Sequence, residues 1–390
     1  MGQPSVLKFH STLKQKIGSF NCEAIASQLK LDEYGTFLRR AGCLDKIAVL
    51  YYLPSMKLQT VESLLKEKNE PKFRFTQVKR AFYKELALNW EALTVFPKAL
   101  RDSCSGLIPW DALTIEKETR DPHDGTEKLL CVCHDGAKIE TVLMRHHRDR
   151  NTVCVSSQVG CPMACAFCAT GAQGFKRNLT RDEIAEQVIL FARRLAVEGA
   201  RVTNVVVMGM GEPMHNYDAV IDALRLLNDA DGFGLGARHM SVSTCGVVPG
   251  ILRLADEDLQ INLAISLHAA MNEVRDSIMP VNRTYPLSEL MRAVHTYMQK
   301  TNRRVMFEYV LLDGVNDSIE HARALAALLG DDYRLVHVNL LTYHATKGFA
   351  ASDRRTADAF LTELHHLGVP ATYRKNFGEE IDAACGQLAA

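Results

Sequence analysis

Cys161-Pro-Met-Ala-Cys165-Ala-Phe-Cys168 is the stretch from which the rest of this chain is read. Its C-x3-C-x2-C spacing offers three thiolates, one fewer than the four that close an ordinary iron–sulfur cluster. A [4Fe–4S] cluster held by three cysteines keeps one iron open, and an open iron can chelate a small molecule. Zinc prefers four ligands, commonly from paired C-x2-C units, and no second pair follows. Buried structural thiols are the other reading that the triplet leaves open.

Outward from the triplet, short apolar runs alternate with helical segments. The runs at 153–157, 203–208, 239–244, 261–267, 305–312 and 335–341 predict six strands. The first intervening helix opens at Thr180, with Glu183 three residues on as a capping box, and carries Ile184, Val188, Phe191 and Leu195 on one face. Strands alternating with helices imply a parallel sheet with right-handed crossovers. Six such units predict an α/β fold, a partial (β/α)6 barrel, over 151–390, ending in a carboxyl-terminal extension. Residues 106–150 hold two further strand-like runs, 129–133 and 139–144, that lead into it. Residues 1–105 are expected to form a small helical accessory domain, with apolar positions at helical spacing in 25–31, 58–65 and 78–86.

Composition fits a large soluble enzyme. The 390 residues are 47% hydrophobic, which supports a sizeable core. No run reaches the ~18 apolar residues of a membrane span; the densest, 47–53, is core-sized. The first residues do not resemble a secretion signal, and Val6 breaks a myristoylation motif after Met1-Gly2. Eleven cysteines with three at cluster spacing point to a reducing cytoplasm and not to a disulfide framework. The net charge of zero hides an asymmetry: residues 1–110 hold 17 Lys and Arg against 10 Asp and Glu, and the remainder 29 against 36. Lys72, Arg74, Lys79, Arg80 and Lys84 interleave with Phe73, Phe75, Phe82 and Tyr83. Such a segment is either a grip on RNA or an amphipathic helix with a solvated basic face.

Parallel barrels place reacting groups at the carboxyl ends of their strands. After the first predicted strand comes the triplet. Then follow Gly209-Met210-Gly211-Glu212-Pro213, Ser243-Thr244-Cys245-Gly246, Ser266-Leu267-His268 and Thr342-Tyr343-His344. Gly211 permits close backbone approach to a ligand, and Glu212 suits an ammonium or a ribose hydroxyl. This is not the G-x-G-x-x-G of a dinucleotide fold.

The triplet resembles the signature of the radical S-adenosylmethionine (SAM) superfamily. A longer set is similar to the RlmN/Cfr family of radical SAM RNA adenosine methyltransferases: Cys154-Val-Ser-Ser-Gln-Val-Gly-Cys161 through Gly171, Arg177-Asn-Leu-Thr180, Met208 to Pro213, Val242-Ser-Thr244 with Gly246, Ser266-Leu-His268, Val315-Asn-Asp317 and the tail Ile381-Asp-Ala-Ala-Cys-Gly-Gln-Leu388. The match runs in order over about 70–390, and the tail motif is its most discriminating part.

The resemblance implies a [4Fe–4S] cluster on Cys161, Cys165 and Cys168, with SAM held by Gly211, Glu212, Ser243, Ser266, Leu267, His268 and His344. It implies that Cys385 carries a methyl group, that Cys154 resolves the RNA adduct through a disulfide with Cys385, and that Glu140 accepts a proton. Read alone, Cys154 is a buried strand cysteine and Glu140 a strand-edge surface acid. The implied substrate is an adenosine of 23S ribosomal RNA, and of some transfer RNAs, methylated at C2. A sister branch methylates C8 with the same cysteines, and a radical SAM enzyme with a non-RNA substrate is a third reading. An external one-electron reductant such as flavodoxin is implied, with a cytoplasmic monomer and no membrane partner. One departure stands out: His344 occupies a position where the family usually has asparagine. Cys131 and Cys133 read as core packing, His146 and His147 as part of a polar loop, and Cys22, Cys43, Cys104 and Cys245 have no partner motif.

Overall fold

The computed structural model describes residues 57–330, 333–344, 346, 348–374 and 376–390. The helical expectation at 25–31, the apolar run 47–53, Cys22 and Cys43 lie outside the described residues.

Three antiparallel strands come first: β1 (Leu113–Arg120), β2 (Glu127–Cys133) and β3 (Lys138–Arg145). β4 (Asn151–Cys154) pairs antiparallel with β3. β5 (Gln158–Gly160) and β6 (Phe175–Asn178) form a separate hairpin around the cysteine triplet. β7 (Asn204–Val207) pairs parallel with β4, and β8 (Met240–Thr244), β9 (Asn262–Ser266), β10 (Val305–Leu311), β11 (Val336–Thr342) and β12 (Ala371–Tyr373) continue in parallel. The ten-stranded sheet therefore runs β1-β2-β3-β4-β7-β8-β9-β10-β11-β12. The six expected strands are β4 and β7 to β11, so the partial (β/α)6 barrel stands, lengthened by β12 at one edge and by three antiparallel strands at the other. β8 is buried along its whole length, as expected of a parallel strand covered on both faces.

Helices α1 (Lys57–Glu67), α2 (Phe73–Tyr83) and α3 (Lys98–Ser105) precede the sheet. The short α4 (Ala169–Ala172) follows the triplet, and α5 (Arg181–Val197) is the first crossover. The capping box is present: Glu183 N–H donates to Thr180 Oγ1, and Thr180 N–H donates to Glu183 Oε2 at 2.8 Å. The remaining crossovers are α6 (Tyr217–Asn228), α7 (Val248–Ala255), α8 (Asn272–Ile278), α9 (Leu287–Thr301), α10 (Ile319–Leu329) and α11 (Arg354–His366).

Besides its apolar stripe, α5 buries four polar side chains, and each has partners. Asp182 accepts from Leu58 N–H; Glu186 accepts from Lys57 Nζ at 3.0 Å and from the Ala112 and Leu113 amides. Glu183 pairs with Arg177, and the Gln187 side chain bonds both N–H and C=O of Ser156. Lys57 is 2% exposed, donates also to Trp110 O, and lies over the Phe82 ring. The amino-terminal helices thus share one apolar core with the barrel.

Two cations of the basic, aromatic segment, Lys79 and Lys84, take part in this docking, Arg74 bonds within the amino-terminal unit itself, and Lys72 and Arg80 are exposed. Lys79 pairs with Asp229 at 2.7 Å, Lys84 donates to Ala230 O, and Arg74 donates to Val95 O and Gln77. Phe82 and Tyr83 are buried. The helix ends at Tyr83, before the expected 86, because Leu86 takes a left-handed φ of 56°.

Candidate active site

A cavity of about 210 Å³ opens at the carboxyl ends of the parallel strands, and Cys161, Cys165 and Cys168 all line it. The hairpin β5–β6 sets their loop. Gly160 has φ +72°, and a Cβ there would stand 1.9 Å from Gly174 O, so only glycine lets the two strands close. Cys161 N–H then donates to Gly174 O, and Ala166 N–H to Ile278 O. Burial pushes the Cys161 thiol up to about 12, and Cys165 is raised for the same reason, with the neighbouring thiols adding to it. Among the described residues no three His, Cys, Asp or Glu converge as a group for a single metal ion. Three cysteines lining one cavity match the ligand set of a cluster that keeps one iron open.

The opposite wall is polar. Gly211 (φ +103°) lies against Gln158. Glu212 is buried, its Oε1 accepting from Met214 N–H at 3.0 Å and its Oε2 from Cys245 N–H at 2.8 Å. A carboxylate has about four acceptor sites, so both oxygens keep capacity toward the cavity. Ser243 and Ser266 bring their hydroxyls to 3.1 Å across β8 and β9. His268, at φ 56°, accepts from Val310 N–H at Nδ1 (3.0 Å), which puts its proton on Nε2. Burial, with Arg275 nearby, lowers its pKa to about 3, so it is a neutral donor. Asn316 braces it by donating to His268 O and Val310 O. His344 lines the cavity as well; its Nε2 is buried with no hydrogen-bond partner and stands 3.9 Å from the Glu379 carboxylate. Leu267 is fully buried beside the lining residues, and its carbonyl accepts from Arg275 Nε at 3.0 Å.

Cys154, at the end of β4, and Cys385, on the tail, open onto the same cavity. Burial drives the Cys154 thiol up to about 12, with Cys385 adding to the rise. Cys385 is exposed as a residue, but the protein packed around its sulfur desolvates the thiol and raises it, and the Arg374 guanidinium pulls it back. Arg374, directly after β12, lines the cavity and faces Glu308, which accepts from Asn339 at 2.9 Å. Sequence reasoning missed Arg374 and Glu308: β12 is three residues long and sends no periodic signal, and Glu308 sits inside an apolar strand.

The strand pattern read alone makes Glu140 a surface acid, and that reading does not hold. Glu140 is 6% exposed, and it does not line the cavity. Val142 and Met144, on the same face of β3 by its period of two, do line it. Over Glu140 lies the tail, whose Ala389 N–H donates to its Oε2 at 2.7 Å. Cys245, which had no partner motif, also lines the cavity, whereas Cys131 and Cys133 are core residues.

Residues 155–326 match the family model of the radical SAM superfamily. Over 339 residues the chain is 46% identical to a protein of Bacillus mycoides named "Probable dual-specificity RNA methyltransferase RlmN", spanning 86% of this chain and 92% of that one. A protein of the same name from Bacillus cytotoxicus is 45% identical over the same shares. The crystal structure of a radical SAM methyltransferase from Sphaerobacter thermophilus is similar with a TM-score of 0.82 and 44% identity, over 86% of this chain and 98% of that one.

Proposed function

The chain belongs to the RlmN family of radical SAM RNA methyltransferases, and we propose that it methylates C2 of an adenosine in 23S ribosomal RNA, and of some transfer RNAs, by way of a methyl group on Cys385. Its cofactors are a [4Fe–4S] cluster, for which Cys161, Cys165 and Cys168 are the ligands, and SAM. Bound there, the cluster would supply one electron for the reductive cleavage of SAM, the source of a 5′-deoxyadenosyl radical. Glu212, Ser243, Ser266, His268 and His344 hold SAM beside it. The observation that carries the reading is that Cys154 and Cys385 share one cavity with the triplet.

Cys385 first takes a methyl group by displacement, which needs a thiolate. Arg374 favours that form against the burial that opposes it. The methyl carbon, activated by hydrogen abstraction, joins the adenine ring and tethers the RNA to Cys385; Glu140 accepts the proton from the ring carbon, and the one electron left on the ring departs to the one-electron carrier that would serve the cluster. Cys154, held mostly as a thiol by its raised pKa, is kept back for release. Its sulfur then attacks that of Cys385; the S–S bond forms as the carbon–sulfur bond breaks, the electron pair leaves with the methylated base, and the base takes up a proton.

The enzyme on this reading is a cytoplasmic monomer served by an external one-electron reductant such as flavodoxin; among the described residues no helix is long and apolar enough to cross a membrane. The test separates the two cysteines. Cys385→Ala should give neither methylated enzyme nor RNA adduct, while Cys154→Ala should be isolated covalently joined to RNA, retarded on a denaturing gel and released by nuclease. Normal turnover by Cys154→Ala would refute the mechanism. Mass spectrometry of RNA from cells with and without the gene then reads 2-methyl- against 8-methyladenosine, and 8-methyladenosine would overturn the C2 assignment.

A further inference from the structure

We infer that Lys128 is a positioning residue which, paired with Glu140, pins both flanks of the Cys385 loop. Lys128 lies on β2 opposite Val142 of β3, and Glu140 is opposite Leu130. Directly opposed residues share a face, and so do residues two apart. Lys128, Glu140 and the cavity-lining Val142 therefore project from one face of the hairpin, and the tail covers it. Lys128 Nζ is 3.1 Å from Glu140 Oε1 and donates to Asp382 O at 3.1 Å. The other oxygen of Glu140 takes Ala389 N–H at 2.7 Å. Asp382 and Ala389 stand on either side of Cys385 in the sequence. One ion pair thus holds the loop before and after its cysteine.

Between the two pins the loop is tied to the other side of the cavity. Ala169 N–H donates to Gly386 O, and Thr170 Oγ1 donates to Leu388 O at 2.6 Å. The sulfur of Cys385 is consequently strung between the β2–β3 hairpin and the cysteine-triplet loop. Lys128 itself is only 13% exposed, and its donors are directed at protein acceptors; it is placed to aim the loop, not to grip a phosphate. Charge-assisted hydrogen bonds are roughly twice as strong as neutral ones, so the grip depends on Glu140 remaining ionised.

This extends the proposed function, because it rests on Glu140 as the proton acceptor of that reaction. The proton leaves the ring carbon and arrives on the Glu140 carboxylate, which becomes neutral. Its attraction for Lys128 falls at that moment, and the hold on both flanks loosens together. The next event is the meeting of the Cys385 and Cys154 sulfurs, and a loosened loop leaves Cys385 freer to make it. Lys128 thereby links the proton transfer to the release step.

Amide hydrogen exchange, read by mass spectrometry on the full chain with its cluster reconstituted and no RNA present, tests the clamp. Lys128→Met should speed exchange in peptides covering 382–389 by about tenfold, the factor expected for losing a charge-assisted hydrogen bond. Lys128→Arg should restore most of the protection, and Glu140→Gln should loosen the same peptides. Peptides of β8 and β9 should be unaffected, which reports that the variants fold. Wild-type exchange of the loop in Lys128→Met, or no recovery in Lys128→Arg, overturns the inference. With RNA added, Lys128→Met should lose kcat at unchanged RNA affinity; a loss confined to RNA affinity would make Lys128 a phosphate contact and overturn it equally. Since the exchange is read without RNA, a chain that methylates no RNA refutes the proposed function and leaves the clamp to be decided by its own measurement.

Discussion

Acidification should weaken this fold through His268. The side chain is 6% exposed, its Nδ1 accepts from a buried amide, and its pKa is lowered to about 3, against about 6.5 in an unfolded chain. A histidine kept neutral by folding contributes stability that is complete above the unfolded pKa. That stability is lost as pH falls through 6.5 toward 3, because only the unfolded state takes up the proton. Between pH 7.5 and 5.0 the unfolded chain gains about 1.5 log units of protonation free energy that the folded chain does not match, which is about 2 kcal/mol. The control is His268→Asn: asparagine tolerates the left-handed φ and offers a carbonyl oxygen where Nδ1 accepts, but does not titrate. Urea unfolding of the cluster-free chain, followed by circular dichroism at pH 7.5 and 5.0, gives the loss for each protein. The wild type should lose about 2 kcal/mol more than the variant, whatever the other histidines contribute to both. Equal losses would show that His268 is protonated without cost and refute the neutral-donor assignment.

Gly211→Ala places a methyl 2.6 Å from Gln158 Cβ and 2.8 Å from its backbone nitrogen, at a φ of +103°; SAM affinity by calorimetry should fall at least about tenfold, with about 1–3 kcal/mol of strain. Arg275 is fully buried and donates to Leu267 O, Asn282 Oδ1 and Cys245 O. A lysine cannot reach all three acceptors, so Arg275→Lys should cost about 1.5–3 kcal/mol, visible as a lowered melting temperature. Lys79→Glu sets like charges at the Asp229 contact and should loosen the amino-terminal helices, read as faster proteolysis there. RNA affinity should stay within about threefold, since the salt-dependent term for one exposed phosphate contact is absent; a much larger loss would restore the segment as an RNA grip.

The strand–helix alternation was legible because parallel strands buried on both faces read as unbroken apolar runs, and each ended at a residue of chemical interest. β1 escaped because Leu113–Arg120 is mostly exposed and reads as a polar segment. The triplet and the two outlying cysteines could be named from spacing and family likeness, since they lie within short motifs. Glu140 and Lys128 could not be understood locally. What buries them is the tail, about 250 residues further along, and no periodicity in β2 or β3 announces that cover.

Helix α5 sets the terms on which this protein could be rebuilt. Its positions 182 and 186 hold the amino-terminal helices, 187 holds the segment that leads into the triplet, and 183 holds the strand that leaves it. The segment from 57 to 113 is therefore no detachable cassette. A graft from another enzyme that lacked a cation at 57 or altered the chain at 112 and 113 would strand the Glu186 carboxylate inside the molecule. An exchange of this segment intended to change substrate range has to carry the outer face of α5 along with it, and must leave the neighbouring face, one step around the same helix, untouched.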